Sequence, residues 1–174
     1  MVVTIWTTSS GTTGTLSEDV PVKEYYKGAT FRPITVLERK LKEYCKTNLY
    51  VLLDNDKYVK GSDPSTIVAN NKKDQAELNE RFIKSTVESD VSVILLPSVS
   101  FNKLVKTNWD KIVERAKPNT IWCLGTSRGS LENIDIQKLK NKGCKIFVYE
   151  RRGVAPIGTE IRDQLLEEIQ SRVS

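Results

Sequence analysis

The sequence predicts an α/β fold: a three-layer α/β/α arrangement built on an open, parallel, five-stranded sheet. Two observations carry this. Five short apolar runs rich in Val, Ile, Leu and aromatics recur along the chain, and patterns of helical period fill the gaps between them. Strand and helix therefore alternate five times, the signature of βαβ units whose sheet is covered on both faces.

The strand candidates are Val2 to Trp6, Leu49 to Leu53, Val91 to Leu96, Thr120 to Leu124 and Lys145 to Tyr149. They barely alternate between apolar and polar, as expected of strands buried on both faces. Residues 33 to 46 place Ile34, Leu37, Leu41 and Tyr44 on one helical stripe, with Pro33 tolerated in the first turn. Residues 74 to 89 place Leu78, Phe82, Ile83 and Val87 on another. A short helix over 108 to 116 carries Trp109, Ile112 and Val113, with Asn108 as its candidate N-cap. A helix over 133 to 142 stops at Asn141-Lys142-Gly143, and residues 158 to 173 repeat Ile161, Leu165, Ile169 and Val173 at spacing four. The least regular stretches, 8 to 29 and 54 to 73, each follow a strand, where long loops are often functional.

The length of 174 residues fits one domain spanning 1–174, and 39% hydrophobic content argues against disorder. No apolar run approaches the roughly 20 residues that cross a bilayer, and the first residues lack a basic n-region, so no membrane partner is expected. Cys45, Cys123 and Cys144 form neither a disulfide framework nor a zinc motif; they read as small core residues of a cytoplasmic, reducing compartment. The chain has no histidine, which excludes Ser-His-Asp and Cys-His catalysis and removes the commonest transition-metal ligand. Neither a cofactor nor a metal is implied. The net charge of +5 permits an anionic partner without requiring one.

In an open parallel sheet, ligands bind beyond the carboxyl ends of the strands. Those ends carry Ser9 and Ser10, Asp54 with Asp56, Lys57 and Tyr58, then Ser98, then Thr126, Ser127 and Arg128, and finally Arg152. Small and hydroxylated residues let backbone amides approach an anion, although Gly, Ser and Thr also simply make turns. The spacing of Gly11 and Gly14 fits neither a Walker A loop nor a dinucleotide fingerprint. Asp54 and Glu160 are the candidate acid/base residues, with solvated or capping carboxylates as the alternative. Tyr25 and Tyr26 could stack on a nucleobase or pack their loop. Arg32 could hold a phosphate bidentately or pair with Glu24 or Glu38.

Three stretches share a family pattern. They are Thr8-Ser9-Ser10 followed by Pro21-Val22-Lys23-Glu24-Tyr25-Tyr26-Lys27-Gly28-Ala29-Thr30-Phe31-Arg32; Asp56-Lys57-Tyr58-Val59; and Gly153-Val154-Ala155-Pro156-Ile157-Gly158-Thr159-Glu160-Ile161. Together they resemble small domains related to the uracil-DNA-glycosylase-like superfamily. Ser9 or Ser10 stands where that pattern often has Cys, and Val59 stands where it has Gly. The open sheet is thus expected to be Rossmann-like or flavodoxin-like, or, as the resemblance implies, glycosylase-like. The resemblance also implies a nucleobase or nucleotide pocket shaped by Ser9, Tyr26, Gly28, Phe31, Arg32, Lys57, Tyr58, Gly153 and Gly158. Without histidine it does not extend to ordinary uracil excision.

The leading expectation is a protein that processes a nucleotide or nucleic acid at the strand edge, through glycosidic or phosphodiester chemistry. Two alternatives stay open. One is a non-catalytic nucleotide or second-messenger sensor, in which a homodimer would build a shared pocket. The other is a protein-interaction module, which an exposed apolar patch around Trp109 or Trp122 would favour.

Overall fold

The computed structural model describes residues 1–70 and 75–174, so the expected helix start at 74 and the end of the expected 54–73 loop lie outside the described residues. The chain runs β1 (Val2–Thr8), β2 (Thr12–Thr13), α1 (Val22–Tyr25), β3 (Tyr26–Lys27), α2 (Arg32–Lys42), β4 (Lys46–Leu52), β5 (Tyr58–Lys60), α3 (Ile67–Asn70) and α4 (Gln75–Val87). It continues through β6 (Val91–Leu95), α5 (Ser98–Phe101), α6 (Trp109–Arg115), β7 (Ile121–Thr126), α7 (Arg128–Glu132), α8 (Gln137–Lys140), β8 (Lys145–Glu150) and α9 (Thr159–Val173).

The central sheet has six strands in the order β5-β4-β1-β6-β7-β8, and all neighbours are parallel except β5 against β4. The expected count of five is thus one short. The missed strand is brief: Tyr58 and Val59 pair with Leu52 and Val51, and a two-residue apolar signal inside a polar stretch does not read as a strand. A separate two-stranded ribbon joins β2 and β3.

Successive strand residues point to opposite faces, and both faces are apolar. Val3, Ile5, Val51, Val93, Leu95 and Cys123 meet Ile34, Leu37 and Leu41 of α2 and Leu165, Leu166 and Ile169 of α9. Trp6, Tyr50, Ile94, Trp122 and Leu124 meet Leu78, Phe82 and Val87 of α4 and Trp109 and Ile112 of α6. This two-sided burial is why the runs look continuous in sequence. Each buried large side chain contributes roughly 1.5–3 kcal/mol relative to exposure. The buried indole N–H groups are satisfied: Trp6 donates to Ser85 Oγ (2.9 Å), Trp109 to Asp135 O (3.2 Å) and Trp122 to Thr120 Oγ1 (3.0 Å). Trp109 and Trp122 therefore offer no exposed patch.

Helix boundaries depart from expectation in three places. The helix expected to 46 ends at Lys42, and Tyr44 is 43% exposed, because the chain must turn to pair Lys46 with Val2 in β4. The helix expected at 108 is preceded by α5 and a π-helical segment, Asn102–Lys106. Asn108 makes no cap; its Nδ2 donates to Leu104 O at 2.8 Å. The helix expected over 133–142 is reduced to the short α8 (Gln137–Lys140), and the unexpected α7 precedes it, capped by Ser127, whose Oγ accepts from Ser130 N. Gly143, at φ +80°, makes the expected stop. No helix among the described residues is long and apolar enough to cross a membrane.

Candidate functional site

The first crossover places β4 on one side of β1, and the second passes to β6 on the other. Strand order therefore reverses between β1 and β6, the position at which an open parallel sheet leaves a crevice. The hydroxyls gathered there are bonded to one another and to backbone. Ser98 Oγ donates to Ser127 Oγ (2.7 Å), which donates to Ser130 Oγ (3.0 Å), tying the loop after β6 to the loop after β7. Ser10 Oγ lies within hydrogen-bond distance of Thr12 O (2.9 Å) and Lys27 O (2.8 Å), holding β1's loop to the β2–β3 ribbon. Thr126 Oγ1 is buried with no hydrogen-bond partner among the described residues.

Ser9, Tyr26 and Asp54 form a second group beside the ends of β1 and β4. Tyr26 is 6% exposed, with Tyr25 edge-on at 5.0 Å and Phe31 at 5.5 Å, so its ring faces are covered by protein. Burial is the main cause that pushes its hydroxyl up to about 12. Tyr25 adds to the rise, a hydrogen bond with Ser9 opposes it, and the Asp54 charge raises it further. Tyr26 is accordingly a neutral hydrogen-bonding group.

A cavity opens between the starts of α2 and α9. It encloses about 630 Å³ and is lined by Gly28, Ala29, Arg32, Pro33 and Val36 on one side and by Ala155, Ile157, Gly158, Thr159 and Arg162 on the other. Gly28, at φ +86°, makes the turn that lets Arg32 N donate to Gly28 O (2.9 Å) and start α2. Gly158 precedes α9 without a side-chain cap, and the N–H groups of Thr159, Glu160 and Ile161 meet no acceptor among the described residues. Those amides carry the positive end of a helix of 15 residues. Arg32 has no ion pair among the described residues, since Glu38 is occupied by Lys23 (3.3 Å) and Lys42 (2.7 Å). Arg162 lies against Asp163 (3.1 Å).

A second cavity of about 640 Å³ adjoins the first, sharing Gly28, Arg32 and Val36 and adding Lys23, Glu24, Tyr26, Lys27, Thr35 and Arg39.

Of the expected site residues, Arg32 and Tyr26 line these two cavities, together with Gly28 and Gly158 from the resemblance. Tyr58 is placed elsewhere. It is buried against Trp6 and Tyr50 beneath α4, and its hydroxyl donates to Glu77 Oε1 (3.0 Å), because β5 pairing turns it inward. Lys57 is half-buried, and its carbonyl accepts from Leu53 N (2.7 Å). Asp56 is bound by Lys103 from the π-helical segment. Arg128 is 75% exposed and pairs with Glu132; Arg152 is 80% exposed and pairs with Glu150. Asp54 and Glu160 are exposed and line neither cavity. Neither of these two cavities is lined by the polar tips of all five expected strands.

Sequence reasoning missed Thr159, Arg162, Lys23 and Arg39. A signal existed: Arg32 and Arg162 each sit in the opening turns of helices whose apolar stripes seek the same sheet face. Among the described residues, no group of three or more His, Cys, Asp or Glu could hold a metal. The three cysteines are free, and burial pushes the Cys123 thiol up to about 12, which leaves it unreactive. No protein-family model matches the chain, and neither the curated proteins nor the solved structures give a significant match.

Proposed function

We propose that the chain binds a phosphate-bearing ligand of the nucleotide class in the cleft between α2 and α9. The observation that carries this reading is the pairing of Arg32, which has no carboxylate partner among the described residues, with the uncapped first turn of α9 in one cavity of about 630 Å³. A planar guanidinium and convergent backbone amides are the groups that recognise phosphate. The cavity size falls in the usual range for a small ligand. Gly28, Arg32 and Gly158, which the glycosylase-like resemblance implies for a nucleotide pocket, are all lining residues.

Binding without turnover is the form best supported, because Asp54 and Glu160 stand outside the cleft. That favours a sensor or carrier over glycosidic or phosphodiester chemistry. A homodimer that completes the pocket belongs to the same proposal, as does a cytoplasmic setting suited to free thiols.

The test is a thermal shift against mononucleotides, inorganic phosphate and short oligonucleotides, run on the native chain and on Arg32→Ala. A ligand at about 100 times its Kd stabilises by ~2.7 kcal/mol, which for a chain this long raises Tm by roughly 5–10 °C. Arg32→Ala should abolish that rise. A flat panel for the native chain, or an equal rise in Arg32→Ala, contradicts the proposal.

A further inference from the structure

The two cavities form one trough. They share Gly28, Arg32 and Val36, so the second continues the first along the outer face of α2. That face is a helical stripe. Ile34, Leu37 and Leu41 are buried against the sheet, whereas Arg32, Thr35, Val36 and Arg39, at i, i+3, i+4 and i+7, line the trough. Arg32 and Arg39 lie two turns apart, about 10 Å along the helix axis. One phosphate does not span that interval, so the two guanidinium groups address two phosphates.

The charge distribution agrees. Among the described residues the trough walls carry Lys23, Lys27, Arg32, Arg39 and Arg162; Lys23 pairs with Glu38 and Arg162 with Asp163, whereas Lys27, Arg32 and Arg39 have no ion pair among the described residues. A concave groove that runs from the α2–α9 cleft along α2 fits a strand better than a flat bilayer or a duplex. The only aromatic ring in its walls among the described residues, Tyr26, is almost wholly buried, with Tyr25 and Phe31 against it. The trough therefore lacks the stacking platforms that single-strand binders use to engage bases.

We infer that the ligand is a short single-stranded oligonucleotide, held by its phosphodiester backbone along α2 and recognised with little regard to base. This inference rests on the phosphate-binding reading of the α2–α9 cleft. It adds a second phosphate position at Lys27 and Arg39.

The test is fluorescence anisotropy with labelled thymidine mononucleotide and with thymidine and adenosine oligonucleotides of increasing length, over a salt series. The expected result is affinity that climbs from mononucleotide to oligonucleotide, is alike for both bases, and falls with salt at a slope of about −0.7 per phosphate engaged. Arg39→Ala and Lys27→Ala should each reduce the oligonucleotide slope by about 0.7 while leaving the mononucleotide affinity unchanged; Arg32→Ala should weaken both ligands. Length-independent affinity overturns the inference and leaves the phosphate site standing. No binding by either class removes both. Unchanged slopes in Arg39→Ala and Lys27→Ala, or tighter binding to phosphatidylserine vesicles than to any oligonucleotide, also overturns it.

Discussion

Gly125 offers a direct test of how the sheet positions the cleft. It lies in β7, where a β-carbon would stand 2.7 Å from Leu95 Cδ2 and 2.8 Å from Pro156 O. Ordinary carbon contacts fall at about 3.5–4.0 Å, so Gly125→Ala demands nearly an ångström of retreat on two sides. Leu95 is almost fully buried and has little room to give. The carbonyl belongs to the Ala155–Gly158 segment, which walls the cavity and leads into α9. Overpacking of this kind costs about 1–3 kcal/mol. For a chain of this size that corresponds to a Tm lower by roughly 2–10 °C. Gly129 is the matched control: nothing lies within 4 Å of its β-carbon position, and it sits in α7 with no positive φ. Gly129→Ala should be neutral or stabilise by up to about 1 kcal/mol. Urea and thermal unfolding of both variants decide the matter. A Gly125→Ala protein within about 0.5 kcal/mol of native stability would refute the claim that the backbone after β8 is seated on β7 through this missing side chain.

Other expected outcomes follow the same physics. Thr126→Val replaces a buried hydroxyl that has no hydrogen-bond partner among the described residues; removing its desolvation cost should leave stability unchanged or raise it by up to ~1 kcal/mol in urea unfolding, and a loss above that would place an acceptor beside Oγ1. Glu38 is 6% exposed and receives Lys23 and Lys42, which are 23% and 45% exposed; because both cations can reach water, Glu38→Ala should cost about 1–2 kcal/mol, below the usual figure for a buried pair, measured by urea midpoint. Alkaline sensitivity comes from Tyr26 and Cys123, each raised to about 12 from ordinary values of 10.0 and 9.0. Between pH 9 and 12 the unfolded chain loses protons that the folded chain keeps. Their stabilisation is thus complete below pH 9 and declines as pH rises toward 12. Tyr26→Phe and Cys123→Ala should each flatten the fall of the urea midpoint with pH, and a native midpoint that is level to pH 11 would count against both assignments.

The parallel core was legible because its signal is redundant. Val3, Ile5, Val93 and Cys123 face one helix layer while Trp6, Ile94 and Trp122 face the other, so each run announces burial on both faces without any knowledge of strand order. β5 was not legible, because its place depends on pairing with β4 and only Tyr58 and Val59 are apolar enough to register. Tyr58 was misplaced for the same reason: read as part of a loop, it points to a ligand, but read as a strand residue beside Leu52, it must enter the core.

The site was harder to read, since the rule used to find it is about strand ends and the cavity is about helix starts. The strand-end hydroxyls Ser10, Ser98 and Ser127 are occupied in holding loops together. Their donors are therefore already engaged, whatever their position at the switch point. Arg32 differs because its competitor is missing: Glu38, its obvious partner in sequence, turns inward from α2 and takes two lysines instead. A cation without an ion pair among the described residues, on a helix stripe otherwise built for the trough, is a property of three-dimensional competition among charges. Periodicity gives the stripe Arg32-Thr35-Val36-Arg39, but only the packing of α9 beside α2 converts that stripe from a solvated face into the wall of a groove.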